Sequence, residues 1–131
     1  MTLDRLTPPG IHPPLANYCH AVRVDGSSCL VFCSGQLGLA VDGTIPEDAE
    51  AQADLIFANV ETILAAAGCG KDDIVRINAF VSAPEHLNPY MAARDRFVTG
   101  APPASTLLVV QGFSRPEFKV EVEVVAARKP G

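Results

Sequence analysis

The sequence has little aromatic character, little positive charge and no long apolar run. Its 131 residues include no tryptophan, two tyrosines and ten Lys and Arg against fifteen Asp and Glu, giving a net charge of −5. Nucleic-acid-binding proteins normally present a basic face or aromatic stacking surfaces, so nucleic acid is disfavoured as the partner. Apolar runs such as residues 29–33 are too short to span a membrane, and the N-terminus lacks the apolar segment of a signal peptide. We therefore expect a cytoplasmic protein with no membrane partner.

The cysteines are few and their spacing is not that of a metal site. Cys19, Cys29, Cys33 and Cys69 form no CxxC pair, and the three histidines are scattered. In a reducing compartment we expect free thiols in buried, apolar surroundings. The pattern predicts no structural zinc, and no cofactor is expected.

Alternating strand-like and helix-like segments predict one α+β domain over residues 1–131. Residues 1–15, with four prolines, are expected to form an extended N-terminal arm. Asp25-Gly26 favours a hairpin between strands 16–24 and 28–34. A helix is expected from Pro46 to about Ala67, then a strand over 73–81 and a helix over 84–97 with an irregular first turn at Asn88-Pro89. Strands over 105–111 and 118–128 complete a mixed sheet with helices on one face.

The first helix has recognisable signals at both ends. Thr44 and Glu47 have the spacing of a capping box, and Gly68 is placed to end the helix. Its apolar residues fall on one stripe at helical spacing: Ala49, Ala53, Ile56, Val60, Ile63, Leu64 and Ala67.

Two strands carry information about assembly. In 73–81, alternation separates the Ile74, Arg76, Asn78, Phe80 face from the Val75, Ile77, Ala79, Val81 face. In 118–128, alternate valines face one way and Glu121 and Glu123 the other. Strand 28–34, however, is apolar on both faces, which a sheet with helices on one side does not require. The second face is therefore expected to pack against another subunit.

Several motifs together resemble the Rid/YjgF family, the reactive-intermediate deaminases also labelled L-PSP endoribonucleases. The resemblance extends from about residue 7 to 128 and rests on these segments: Tyr18-x-His20-Ala21-Val22, Phe32-Cys33-Ser34-Gly35-Gln36, Ala51-Gln52 to Asn59-Val60, Ala65 to Gly68, Asp73-Ile74-Val75, Phe80-Val81, Pro103-Ala104-Ser105 and Val120 to Glu123. It implies a chorismate-mutase-like fold and a homotrimer with ligand clefts between subunits.

The resemblance also implies cleft residues, and the sequence departs from the family at two of them. Tyr18, Ser34, Gly35 and Glu121 match the family's tyrosine, serine, glycine and glutamate. The family's carboxylate-binding arginine falls on Ser105, and its helix asparagine falls on Met91. Thr106 and Leu107 are expected to supply backbone contacts. Arg94, one helical turn after Met91, is a candidate replacement cation; Arg115 is another.

The family reaction is hydrolysis of an enamine or imine to a ketone and ammonia. In it Glu121 would hold the attacking water, while Tyr18 and Ser34 would orient the substrate. With Ser105 in place of the arginine, we expect a non-standard substrate of the 2-aminomuconate type. The alternative is a non-catalytic trimer that binds a small metabolite.

Two further hypotheses have less support. Nucleophilic catalysis through Cys19 or Cys33 is disfavoured because Cys19 and the neighbouring His20 point to opposite faces of a strand. His20 shares a face with Tyr18, however, and is a candidate second polar group near the cleft. RNA cleavage is disfavoured by the acidic charge.

Overall fold

A four-stranded mixed sheet with two helices on one face forms the body of the protein. The computed structural model describes residues 3–129. The elements in chain order are β1 (Asp4–Leu6), β2 (Ala21–Arg23), β3 (Cys29–Leu37), α1 (Ala49–Ala66), β4 (Ile74–Val81), α2 (Leu87–Phe97), β5 (Ala104–Val109) and β6 (Val120–Arg128). The sheet order is β3-β6-β4-β5, with β4 and β5 parallel and the other pairs antiparallel. A single turn of 3₁₀ helix, Pro84–His86, precedes α2. Asn88 and Pro89, where the irregular turn was predicted, lie inside the regular helix, so the irregularity falls earlier than expected.

The two faces of the sheet differ as the alternation predicts. The valines 120, 122 and 124 of β6 and the small apolar residues of β4 are buried against α1 and α2. The opposite side, here called the open face, carries the residues between them. Its side chains are Leu30, Phe32, Arg76, Asn78, Phe80, Thr106, Leu108, Glu121, Glu123 and Val125.

One residue of β4 departs from the predicted alternation. Ile74 pairs with Ala126 and Arg76 pairs with Val125, so Val75 is an extra residue in the ladder. This bulge turns Ile74 onto the helix side, where it joins the core. Ile77, Ala79 and Val81 lie on the core face as predicted.

α1 begins three residues later than expected, at Ala49 instead of Pro46. The Asp48 side chain accepts a hydrogen bond of 2.7 Å from Ala51 N and caps the helix, whereas Thr44 donates to the Asp42 side chain. The predicted capping box at Thr44 and Glu47 is therefore wrong, because Asp42 binds the threonine in its own turn. Gly68 follows the helix at φ 74°, which confirms the predicted stop. Ala67 is exposed, and the rest of the predicted stripe is buried or packs against the core.

The predicted hairpin between residues 16–24 and 28–34 does not form. β2 pairs with β1, and β3 pairs with β6. The Asp25 side chain accepts hydrogen bonds from Ser27 N and Ser27 Oγ, so it stabilises a wider turn than a two-residue hairpin requires. The N-terminal arm thus contains a short strand that pairs with β2.

The cysteines are free, as expected, but one of them is not buried. Cys19, Cys33 and Cys69 are buried, whereas Cys29 is exposed at the start of β3. Cys29 lies at the end of an edge strand, where no further strand covers it.

Candidate functional site

Glu121 lies across the backbone of β3 at a point where only glycine leaves room for it. Cys33 pairs with Val124 and Gln36 with Val122, so Ser34 and Gly35 together fill one place in the ladder. A Cβ added to Gly35 would lie 2.1 Å from Glu121 Oε2 and 3.0 Å from its carboxyl carbon. The fold therefore brings together three of the predicted site residues, Glu121, Ser34 and Gly35.

The predicted residues of β5 divide between the two faces of the sheet. Leu107 packs against the core, and Ser105 shares its face. Thr106 lies on the open face, where its Oγ1 accepts a 2.6 Å hydrogen bond from Arg76 Nη2. The Thr106 side chain thus joins β5 to Arg76 of β4, and the substrate contact expected from its backbone stays a prediction.

On α2, Arg94 is buried, not solvated. Its side chain is 4% exposed and binds the adjacent Asp95, with Nη2 3.1 Å from Oδ1. Its guanidinium also lies 6.0 Å from the centre of the Tyr90 ring. Burial raises the pKa of the Tyr90 phenol well above its usual range, and within the described chain its hydroxyl has no hydrogen-bond partner. Met91 is half-buried and packs against the core.

Tyr18 and His20 lie next to the start of β5. Cys19, between them, forms an isolated parallel bridge with Ala104. The Tyr18 hydroxyl accepts a hydrogen bond from Leu15 N at 3.2 Å. The Tyr18 and His20 rings meet edge to face, with their centres 6.3 Å apart. The N-terminal segment is thus fixed beside the strand that carries Ser105 and Thr106.

A groove of about 350 Å³ forms between this segment and the open face. Its lining residues are His20, Ala21, Val22, Val75, Arg76, Ala104 and Val125. Arg76 was not among the residues proposed from the sequence. The available signal was an arginine in a central strand whose other residues, apart from Asn78, are apolar.

Within one chain, the predicted residues around Glu121 lie apart from the predicted residues on and beside β5. Glu121 pairs with Phe80, which follows Arg76 by four residues on β4. At ~3.3 Å per residue, Glu121 and the groove are ~13 Å apart along the open face. Ser105 lies on the opposite face from both. A single site containing all these residues would need more than one copy of the chain.

The buried cysteines are poorly suited to nucleophilic catalysis. Burial raises the pKa of the Cys19 and Cys33 thiols above the ordinary cysteine value. A raised pKa reduces the thiolate fraction, which is the reactive form. The Cys19 thiol also donates to Ala21 O at 3.3 Å.

Other parts of the molecule bring together fewer candidate functional residues. A larger surface groove, of about 660 Å³, lies at the start of α1 and contains none of the predicted site residues. Among residues 3–129, no group of three or more His, Cys, Asp or Glu side chains is placed to hold a metal ion. In the same range no helix has both the length and the apolar character needed to cross a membrane.

Fold and site together define an α+β protein whose polar residues gather on the helix-free side of its sheet. The chain belongs to the family described as Endoribonuclease L-PSP, whose model matches residues 10–128. This is the Rid/YjgF family, so the predicted resemblance is confirmed.

Named relatives agree with this assignment over nearly the whole chain. The chain is 33% identical over 119 residues to the RutC family protein YjgH of Escherichia coli, covering 91% of this chain and 90% of that one. It is 32% identical over 111 residues to Protein DfrA of Myxococcus xanthus, covering 83% of each. The crystal structure of the Rid-family protein YyfB of Yersinia pestis matches with a TM-score of 0.87 and 28% identity, covering 98% of this chain and all of that one. These matches confirm the predicted fold class.

Proposed function

We propose that this protein hydrolyses a small enamine or imine and releases ammonia. The observation that carries the proposal is the placement of the Glu121 carboxylate over Gly35, beside Ser34. A carboxylate held at an open sheet face, next to a backbone with no side chain, can bind a water molecule close to a small substrate. Family membership supports the same class of reaction.

The reaction requires proton transfers that one carboxylate can perform. Water adds to the carbon of the C=N bond, and Glu121 accepts the proton that the water loses. The carboxyl group then gives that proton to the nitrogen. This gives a carbinolamine. Glu121 next takes the proton of the carbinolamine hydroxyl and passes it to the nitrogen, so that the C–N bond breaks, neutral ammonia leaves and the carbonyl forms. An enamine enters the same sequence after it loses a proton from its nitrogen and gains one at its carbon, which gives the imine.

The substrate and the assembly are part of the proposal. Ser105 supplies a hydroxyl but no charge, which favours a 2-aminomuconate-type or other non-standard substrate. The candidate binding residues remain Tyr18, Ser34, Gly35, Thr106, Leu107, Met91 and Arg94.

Because one chain keeps Glu121 apart from Ser105 and Thr106, we place the complete cleft between subunits of a homotrimer. Free thiols suit a reducing compartment, so we place the protein in the cytoplasm.

The test is ammonia release from freshly generated 2-iminopropanoate and 2-aminomuconate, measured above spontaneous hydrolysis. Glu121→Gln keeps the shape of the side chain but removes the base, and we expect at least about a hundredfold loss of rate. Glu123→Gln, two residues along the same strand face, is the matched control and is expected to retain the wild-type rate.

Two results would contradict the proposal. Equal rates for Glu121→Gln and the wild type would remove Glu121 from the mechanism. No release above background from either substrate would favour the alternative, a non-catalytic trimer that binds a small metabolite.

A further inference from the structure

Arg76 is held in a defined position on the open face. It lies in β4, between β6 and β5, and pairs with Val125 on one side and Ala104 on the other. Its Nη2 donates to Thr106 Oγ1 at 2.6 Å. A neutral hydroxyl fixes the guanidinium without neutralising it, so the other N–H donors of the planar fork remain for a ligand.

Within the described residues, Arg76 forms no ion pair with a carboxylate. The ion pairs formed within residues 3–129 join Arg23, Arg94, Arg96 and Arg128 to acidic side chains, and none involves Arg76. Glu123 lies on the same face, but it pairs with Asn78, two residues further along β4 than Arg76. A half-buried guanidinium without an anion is an incomplete arrangement, because charged groups taken partly out of water are usually paired.

The groove in front of Arg76 sets the kind of anion that fits. Its volume of about 350 Å³ is that of a site for a small molecule. Apart from Arg76 and His20, its lining residues are apolar: Ala21, Val22, Val75, Ala104 and Val125. One guanidinium matches one carboxylate through two parallel hydrogen bonds, and the apolar walls match a short aliphatic chain.

We propose that Arg76, positioned by Thr106, binds the carboxylate of a small aliphatic acid in the groove between residues 20–22 and the open face. The inference rests on the proposed function only in taking this acid to be the substrate or the product of the hydrolysis. Arg76 is then a binding residue, and Thr106 is a positioning residue that acts through it.

The test is an NMR titration of the intact protein with 2-oxobutanoate, a stable 2-oxo acid that does not undergo the reaction. We expect saturable binding whose shifts concentrate on residues 20–22, 75–76 and 104–106. Arg76→Met should raise the Kd roughly tenfold to a hundredfold, the usual effect of losing hydrogen bonds to a charged group. Arg76→Lys, which keeps the charge but not the fork, should raise it less.

Two further measurements separate a positioned arginine from a general effect of charge. Thr106→Val removes the 2.6 Å hydrogen bond while keeping the side-chain shape, and should raise the Kd by a smaller factor than Arg76→Met. Arg96→Met removes an equal charge from the exposed end of α2, where Arg96 pairs with Glu50 and Asp54 on the helix side of the sheet, and should leave the Kd unchanged. The neutral analogue 2-oxobutanamide should bind at least about tenfold more weakly than the acid.

The inference is overturned if 2-oxobutanoate does not bind or binds Arg76→Met as tightly as the wild type. Should Arg76→Met fail to fold, equal affinities in the wild type, Arg76→Lys and Thr106→Val would overturn it instead. Ammonia release measured in parallel keeps the two proposals distinct. Arg76-dependent binding without hydrolysis contradicts the proposed function alone, and hydrolysis with Arg76-independent binding contradicts this site alone.

Discussion

Gly35 is the residue on which the position of Glu121 depends. Because its Cα carries no side chain, the glutamate can lie across β3 instead of extending into solvent. The contact made by an added methyl group would be with the end of a flexible side chain. Such a methyl group would therefore displace the carboxylate without disturbing the backbone.

We expect Gly35→Ala to abolish most ammonia release and to change the free energy of unfolding by less than about 1 kcal/mol. The activity falls because the new Cβ occupies the place of Glu121 Oε2. Ammonia assays and urea denaturation measure the two effects. Gly112→Ala, where a Cβ meets nothing within 4 Å, is the control. Wild-type rates in Gly35→Ala would show that the carboxylate can work from another position.

At the scale of elements, Gln52 joins α1 to the segment before it and to the segment that leads into β6. It is fully buried, and its Nε2 donates to Pro46 O and to Glu117 O, each at 2.8 Å. Its Oε1 accepts from Lys119 N at 2.9 Å. One helical side chain thus satisfies backbone groups that lead into α1 and into β6, the strand that carries Glu121.

Gln52→Leu should destabilise the protein by about 3 kcal/mol or more. It leaves two carbonyl groups and one N–H buried without partners, each at a cost of ~1–3 kcal/mol. Equilibrium denaturation measures the loss, and Gln111→Leu, at an exposed position, is the control. A loss below about 1 kcal/mol would mean that water replaces the amide at this point.

At the scale of the whole molecule, the open face exposes more apolar surface than a monomer needs. Phe32 is 74% exposed, and Leu30 and Leu108 are also largely exposed on the same face. They lie on β3 and β5, the two edge strands of the sheet. Exposed large apolar residues on one sheet face are typical of a surface that binds another chain. Burial of this face between copies would also let residues from different copies meet.

We expect Phe32→Lys to dissociate the proposed trimer into monomers, because a charge would have to be buried in the interface. Sedimentation velocity measures the change. Val41→Lys places the same charge at a fully exposed position away from the sheet and should not alter assembly. Trimers of undiminished stability in Phe32→Lys would show that the open face is not the interface.

Local pattern predicted those features that depend on neighbouring residues in the chain. The stripe of α1, its stop at Gly68 and the two faces of β6 all follow from helical or strand spacing and from the absence of a glycine side chain. The same local signals were insufficient where two of them competed. Asp48 caps α1 in place of Thr44 because Asp42 already binds that threonine.

The sequence by itself determined the family, the α+β class and the core faces of the main elements, since each rests on spacing within a short segment. Only the tertiary structure decided which strands pair, and therefore that β3 joins β6 instead of β2. It also decided that Arg76 meets Thr106 and that Glu121 lies over Gly35. These contacts join residues 30 and 86 positions apart, and their formation depends on strand order and bulges. The physical reason is that periodicity records which face a residue occupies, whereas long-range pairing determines which residue it meets there.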